Sequence, residues 1–117
     1  MDIETGAMRE LTHESFAQAP RFTPSGERIV YMSGAGADIF PFSLQGADWW
    51  IMDLDGGRKQ RLTFMNKRHH PQSDNRFRLA GSLSFSTDNR FYGDVLTKSF
   101  GLTGNIVQVQ IRPECID

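Results

Sequence analysis

The chain has 117 residues and a mass of 13.3 kDa, the size of one ordinary domain or of a piece of a larger one. Apolar residues make up 38% and charged residues 23%; this permits a packed core and excludes the profile of a disordered chain, while no apolar run approaches the roughly 18 residues of a membrane helix. A net charge of −1 with a pI near 6.3 excludes a nucleic-acid binder driven by overall charge, and the single Cys115 excludes an internal disulfide or a multi-cysteine metal site.

Met1-Asp2-Ile3-Glu4-Thr5-Gly6 has neither the basic flank nor the apolar stretch of a secretory signal. Read literally it opens a cytoplasmic protein, although it starts in the middle of a pattern that recurs downstream, as a truncated or processed product would. Pro24-Ser25-Gly26 is a tight-turn signal, with Pro presetting one dihedral and Gly accepting positive φ. It leads into the apolar run Ile29-Val30-Tyr31-Met32. Trp49-Trp50-Ile51-Met52-Asp53-Leu54 follows and is closed by a second turn, Asp55-Gly56-Gly57. Asp88-Asn89 turns the chain into Phe91-Tyr92-Gly93-Asp94-Val95-Leu96. Last, Val107, Val109 and Ile111 alternate with Gln108 and Gln110, the period of a half-buried strand. These runs are short, rich in β-branched and aromatic residues and bounded by turn formers, so each predicts a strand. No window offers an amphipathic helix. The reading is all-β, a succession of antiparallel hairpins.

The strands repeat. Met1-Asp2-Ile3-Glu4-Thr5-Gly6 with Arg9-Glu10-Leu11-Thr12 recurs as Met52-Asp53-Leu54-Asp55-Gly56-Gly57 with Gln60-Arg61-Leu62-Thr63, 51 residues on and without a gap. Phe22-Thr23-Pro24-Ser25-Gly26 recurs as Phe85-Ser86-Thr87-Asp88-Asn89. The run from Trp49 to Leu54 has its partner in Ile106 to Ile111. Recurrence in fixed order at about 50 residues is the signature of a repeat architecture.

Residues Phe22 to Tyr31, Asp48 to Gly57 and Arg61-Leu62-Thr63 together resemble the repeat of TolB-like β-propellers, a WD40-like unit that runs Phe-Ser-Pro-Asp-Gly, apolar strand, Ile-Tyr-x-Met-Asp-like strand, Gly turn and Arg-Leu-Thr. The likeness covers nearly all of residues 18–64, residues 1–12 well and residues 82–111 more loosely, where Thr87 and Asn89 replace the family's Pro and Gly. It implies antiparallel four-stranded blades: one full blade at 18–64 (strands 18–23, 28–33, 48–54 and 59–64), a half-blade at 1–12 (strands 1–4 and 8–12) and an incomplete blade at 82–111 (strands 82–86, 91–97 and 105–111). Closed propellers need at least about four blades, so the chain reads as an incomplete propeller: part of a longer chain, an open array capped by its own loops, or one that self-associates to complete a ring. The resemblance also implies a bacterial periplasmic or secreted setting, which no signal peptide here supports. By repeat logic Phe22, Ile29, Tyr31, one of Trp49 and Trp50, Ile51, Leu54, Leu62 and Phe85 form the core.

In such a meander the connections from Gly34 to Ala47, Met65 to Gly81 and Lys98 to Gly104 fall on one rim, where binding usually lives. Charge is concentrated there. Residues 1–57 carry net −6 and residues 58–78 net +6, the latter from Arg58, Lys59, Arg61, Lys67, Arg68, Arg76 and Arg78 against Asp74. The expected binding set is Lys67, Arg68, His69, His70, Gln72, Arg76 and Arg78, with Phe40, Phe42 and Trp49 as aromatic anchors and an acidic protein as partner. The competing account pairs those bases with the acid-rich first part of the chain. Oligogalacturonate-lyase propellers, broadly similar, place His and Gln at a metal; only His69 or His70 with Gln72 would be compatible, and no ligand spacing supports it. No nucleophile elbow, triad or cofactor loop is found. The expected function is a non-catalytic module for protein recognition, without cofactor, metal or nucleic acid. The alternative is the propeller portion of a larger hydrolase or lyase.

Overall fold

The computed structural model describes residues 6–14, 17–39, 46–74, 78–86, 89–98 and 102–111. Seven strands occur among them: β1 (Ala17–Phe22), β2 (Arg28–Ser33), β3 (Asp48–Asp53), β4 (Gln60–Arg61), β5 (Leu79–Phe85), β6 (Arg90–Lys98) and β7 (Leu102–Gln110). They form two antiparallel meanders, a sheet ordered β1-β2-β3-β4 and a sheet ordered β5-β6-β7. No described residue is helical.

Turn chemistry sets the hairpins. Gly26 takes φ +75° and its N–H donates to the Thr23 carbonyl at 2.8 Å, closing β1 onto β2. Gly56 takes φ +87° between β3 and β4, where its N–H donates to the Asp53 carbonyl at 2.9 Å. In the second sheet Asn89 stands where the repeat has Gly26 and adopts φ +60°, since asparagine tolerates the left-handed region better than other side chains.

The sheets pack face to face. Val30, Met32, Trp49 and Ile51 of the first sheet meet Ala80, Leu83, Phe91, Val95 and Ile111 of the second side. Trp49 is fully buried, contacts Phe91 edge to face at 5.2 Å and donates its indole N–H to the Gly81 carbonyl at 3.1 Å, so the polar end of the ring is satisfied. The alternation read in β7 holds: Val107 and Val109 are half-buried, Ile111 is buried, and Gln108 and Gln110 are exposed.

Several expectations need correction. Phe22 is 66% exposed and Leu54 48% exposed, because both belong to the face of the first sheet that points away from the second. Ile29, Leu62 and Phe85 are only half-buried. Residues 8–12 are described but form no strand, and residues 1–4 lie outside the described set. The fourth strand is only Gln60–Arg61, since the Thr63 hydroxyl accepts the Trp49 N–H at 3.1 Å where a backbone carbonyl would continue the ladder. The expected loop from Lys98 to Gly104 is mostly ladder: Lys98 pairs with Leu102 and Thr97 with Thr103. The β2–β3 and β4–β5 connections do share an end, where the Asp38 N–H donates to the Asn66 carbonyl at 3.0 Å.

Candidate binding cleft between the sheets

Asp48 organises this end of the molecule. Its carboxylate is buried and accepts from Arg61 Nη2 (2.9 Å), Thr63 Oγ1 (2.8 Å), the Met65 N–H (2.7 Å), and the Asn66 N–H and Nδ2 (3.2 and 3.1 Å). Asn66 also donates to the Ala47 carbonyl at 3.0 Å and accepts the Arg78 N–H at 2.9 Å. A buried carboxylate tolerates desolvation only when its lone pairs are taken up in this way. The result is that the chain leaving β4 is pinned to the start of β3.

Pinning the segment holds it away from β7. Between the two lies a cleft of about 830 Å³, bounded by residues 60–65, 70 and 72 on one side and 107–110 on the other, with Trp49 at its base. Trp49, Leu62, Phe64, Met65, Val107 and Val109 supply its apolar surface; the amides of Gln60, Gln72, Gln108 and Gln110 fringe it. The Phe64 ring stacks on His70 at 4.5 Å and lies 4.9 Å from the Arg61 guanidinium carbon. The Gln72 side chain accepts the Phe64 N–H at 2.8 Å, and His70 Nδ1 accepts the Gln72 N–H at 3.1 Å. One wall of the cleft is a strand edge: β7 pairs with β6 and, among the described residues, with no strand on its other side.

This geometry sorts the expected site residues. Trp49, His70 and Gln72 come together in the cleft. Lys67, Arg68 and His69 are exposed on the turns beyond it, with His69 at φ +63°. Arg68 is held by Asp38, its N–H donating to Oδ1 at 2.7 Å and its Nε to the carbonyl at 3.3 Å. Arg78 is ion-paired with Asp74, Arg61 with Asp48 and Arg58 with Asp53. Arg58, Arg61 and Arg78 thus find counter-charge inside the chain. The competing account looked to residues 1–57 for the partners of Arg68 and Arg78, whereas the Arg68 guanidinium meets a main-chain carbonyl and Arg78 meets Asp74. Arg76, Phe40 and Phe42 lie outside the described residues. Asp48, Thr63, Phe64 and Asn66 were missed; their one sequence signal was an acid opening a strand with Arg-Leu-Thr 13–15 residues later.

Among the described residues three groups have shifted pKa values, and none lines the cleft. Burial raises the Tyr31 hydroxyl to about 12, with the Glu14 charge adding to it. Burial alone would raise Glu14, but the Ser33 hydroxyl, which donates to it at 2.6 Å, backbone N–H groups and Lys59 leave it below the usual carboxylate range. Hydrogen bonding and charge from Arg58, then Arg28, hold Asp53 low. Among the described residues no three His, Cys, Asp or Glu side chains converge as metal ligands, and no helix is long and apolar enough to cross a membrane.

Comparison with protein-family models, with curated proteins and with solved structures finds no match to this chain.

Proposed function

We propose that the chain is part of a TolB-like propeller acting as a non-catalytic module for protein recognition, and that it takes a partner polypeptide as an extended strand along β7. The carrying observation is the cleft itself, an apolar trough with amide fringes that runs beside a strand edge unpaired among the described residues. Strand addition draws affinity from main-chain hydrogen bonds and specificity from pockets for alternate side chains. Leu62, Phe64 and Val109 offer such pockets, while Gln72 and Gln110 offer side-chain partners for peptide groups. The blade reading is supported by two successive meanders stacked face to face with the same strand order. Internal ion pairing of Arg58, Arg61 and Arg78 turns the reading from an acidic partner towards an extended one.

In the first sheet the matching place beside β3 is filled by residues 60–63, so a peptide copying residues 58–65 is the natural probe. Titrated into isotope-labelled protein, it should shift the amides of residues 62–72 and 107–110 together, and His70→Ala with Gln72→Ala should weaken it several-fold. If millimolar peptide leaves the 107–110 amides unmoved, strand recognition at this edge is wrong.

A further inference from the structure

The registers make the two sheets superposable position by position. Phe22 pairs with Ile29 as Phe85 pairs with Phe91, Tyr31 pairs with Trp50 as Gly93 pairs with Val107, and Ile29 pairs with Met52 as Phe91 pairs with Val109. The residues with which the second sheet packs on the first, Phe85, Phe91, Val107, Val109 and Ile111, therefore have as counterparts Phe22, Ile29, Trp50, Met52 and Leu54. Those counterparts form the outer face of the first sheet, where Phe22 and Leu54 are exposed. The Tyr31 hydroxyl and the Trp50 indole N–H are also buried there without a hydrogen-bond partner among the described residues. Such orphans are uncommon and costly.

Residues 9–12 already occupy part of that face. Arg9 donates to the Asp55 carbonyl at 3.0 Å, and a Cβ at Gly56 would lie 3.4 Å from the Leu11 side chain. Leu11 and Thr12 border a groove of about 410 Å³ over Phe22, Ile29, Tyr31 and Met52, as their repeats Leu62 and Thr63 border the cleft over Val107 and Val109. They stand where the fourth strand of a preceding sheet would stand. Among the described residues the second sheet has no fourth strand.

We propose that a second copy docks head to tail: the outer face of its second sheet covers the outer face of the first sheet, and its β7 edge takes residues 9–12 as the missing strand. This rests on reading β7 as a strand-binding edge and names the strand. Side-chain volumes fit a second copy. Within one chain Trp49 lies so close on Gly93 that a Cβ there would come within 2.5 Å of the ring. Between copies the same pair of positions is Ile106, 78% exposed, and Tyr31; a smaller residue meets a larger one. Asp94 and Gln108, on the neighbour's docking face by register, bring acceptors towards the Tyr31 and Trp50 donors. The contact joins two different faces, so it is heterologous and builds either a ring or a filament.

Sedimentation of the full chain from low to high micromolar concentration tests this. The wild type should associate, whereas Phe22→Glu and Ile106→Glu should each be monomeric alone. Mixed, these two should form a one-to-one dimer, because each keeps the face the other has lost. Glu10→Pro, at an exposed position outside any strand, should weaken association without lowering the unfolding midpoint. A wild type that stays monomeric, variants that associate as the wild type does, or a mixture that stays monomeric would each overturn the proposal. If the 58–65 peptide still shifts β7 in such a monomer, strand recognition stands and only the second copy is wrong; if it does not, both fall.

Discussion

Asp48 gathers three side-chain donors and two backbone N–H groups around one buried carboxylate. Its energetic role is asymmetric: the intact cluster returns little more than its desolvation cost, but removing one charge strands the other. Asp48→Asn keeps the shape, turns an acceptor into a donor facing donors, and leaves the Arg61 guanidinium, 9% exposed, without its counter-charge. We expect a loss of about 3 kcal/mol in urea unfolding, against about 1 kcal/mol for Thr63→Val. Amide exchange should quicken at residues 63–72 first. Equal losses for the two variants would mean that the carboxylate is not the organiser. The sequence showed Arg61-Leu62-Thr63 as a repeated phrase but not its purpose, because the partner that explains it lies across the sheet. Glu10, the repeat of Arg61, would not have revealed it either.

At the level of elements, apolar runs and turn residues located β2, β3, β6 and β7, while the bounds written for all seven strands came from the repeat resemblance, which overlaps each observed strand and matches β2 to the residue. Boundaries failed where side chains replace backbone partners, as Thr63 does at the end of β4, or where a ladder runs on past the apolar run, as in the pairs Thr97 with Thr103 and Lys98 with Leu102. The match between the sheets has one conspicuous asymmetry, Gly93 opposite Val107 where the first sheet sets Tyr31 opposite Trp50. The glycine makes room for the Trp49 ring. Gly93→Ala should therefore cost about 2 kcal/mol by overpacking, although alanine suits a strand better than glycine does. Trp49→Phe added to it should restore part of that loss, giving a coupling that a purely backbone effect of Gly93 would not show. Thermal unfolding of the two single variants and the double variant measures it.

The whole molecule is a stack with unlike ends. One outer face carries Phe22, Ile29, Tyr31, Met52 and Leu54; the other carries Tyr92 and Ile106 among Arg90, Asp94, Gln108 and Gln110. Repeat logic put Phe22 and Leu54 in the core, but both stand exposed, because the repeat pattern does not tell which side of the sheet finds a partner within this chain. That difference has a thermodynamic signature. In a dilute monomer Phe22→Lys with Leu54→Lys removes little packing, since both side chains stand in solvent, and each should move stability by only about 0.5 kcal/mol. At high concentration the wild type should gain stability by mass action, about 2.7 kcal/mol at one hundred times the dissociation constant, and its melting temperature should climb with concentration. The double lysine variant should melt at one temperature throughout. The two curves should meet on dilution and part on concentration. If they stay parallel, with the variant lower at every concentration, the exposed face serves the folded monomer itself and not an assembly.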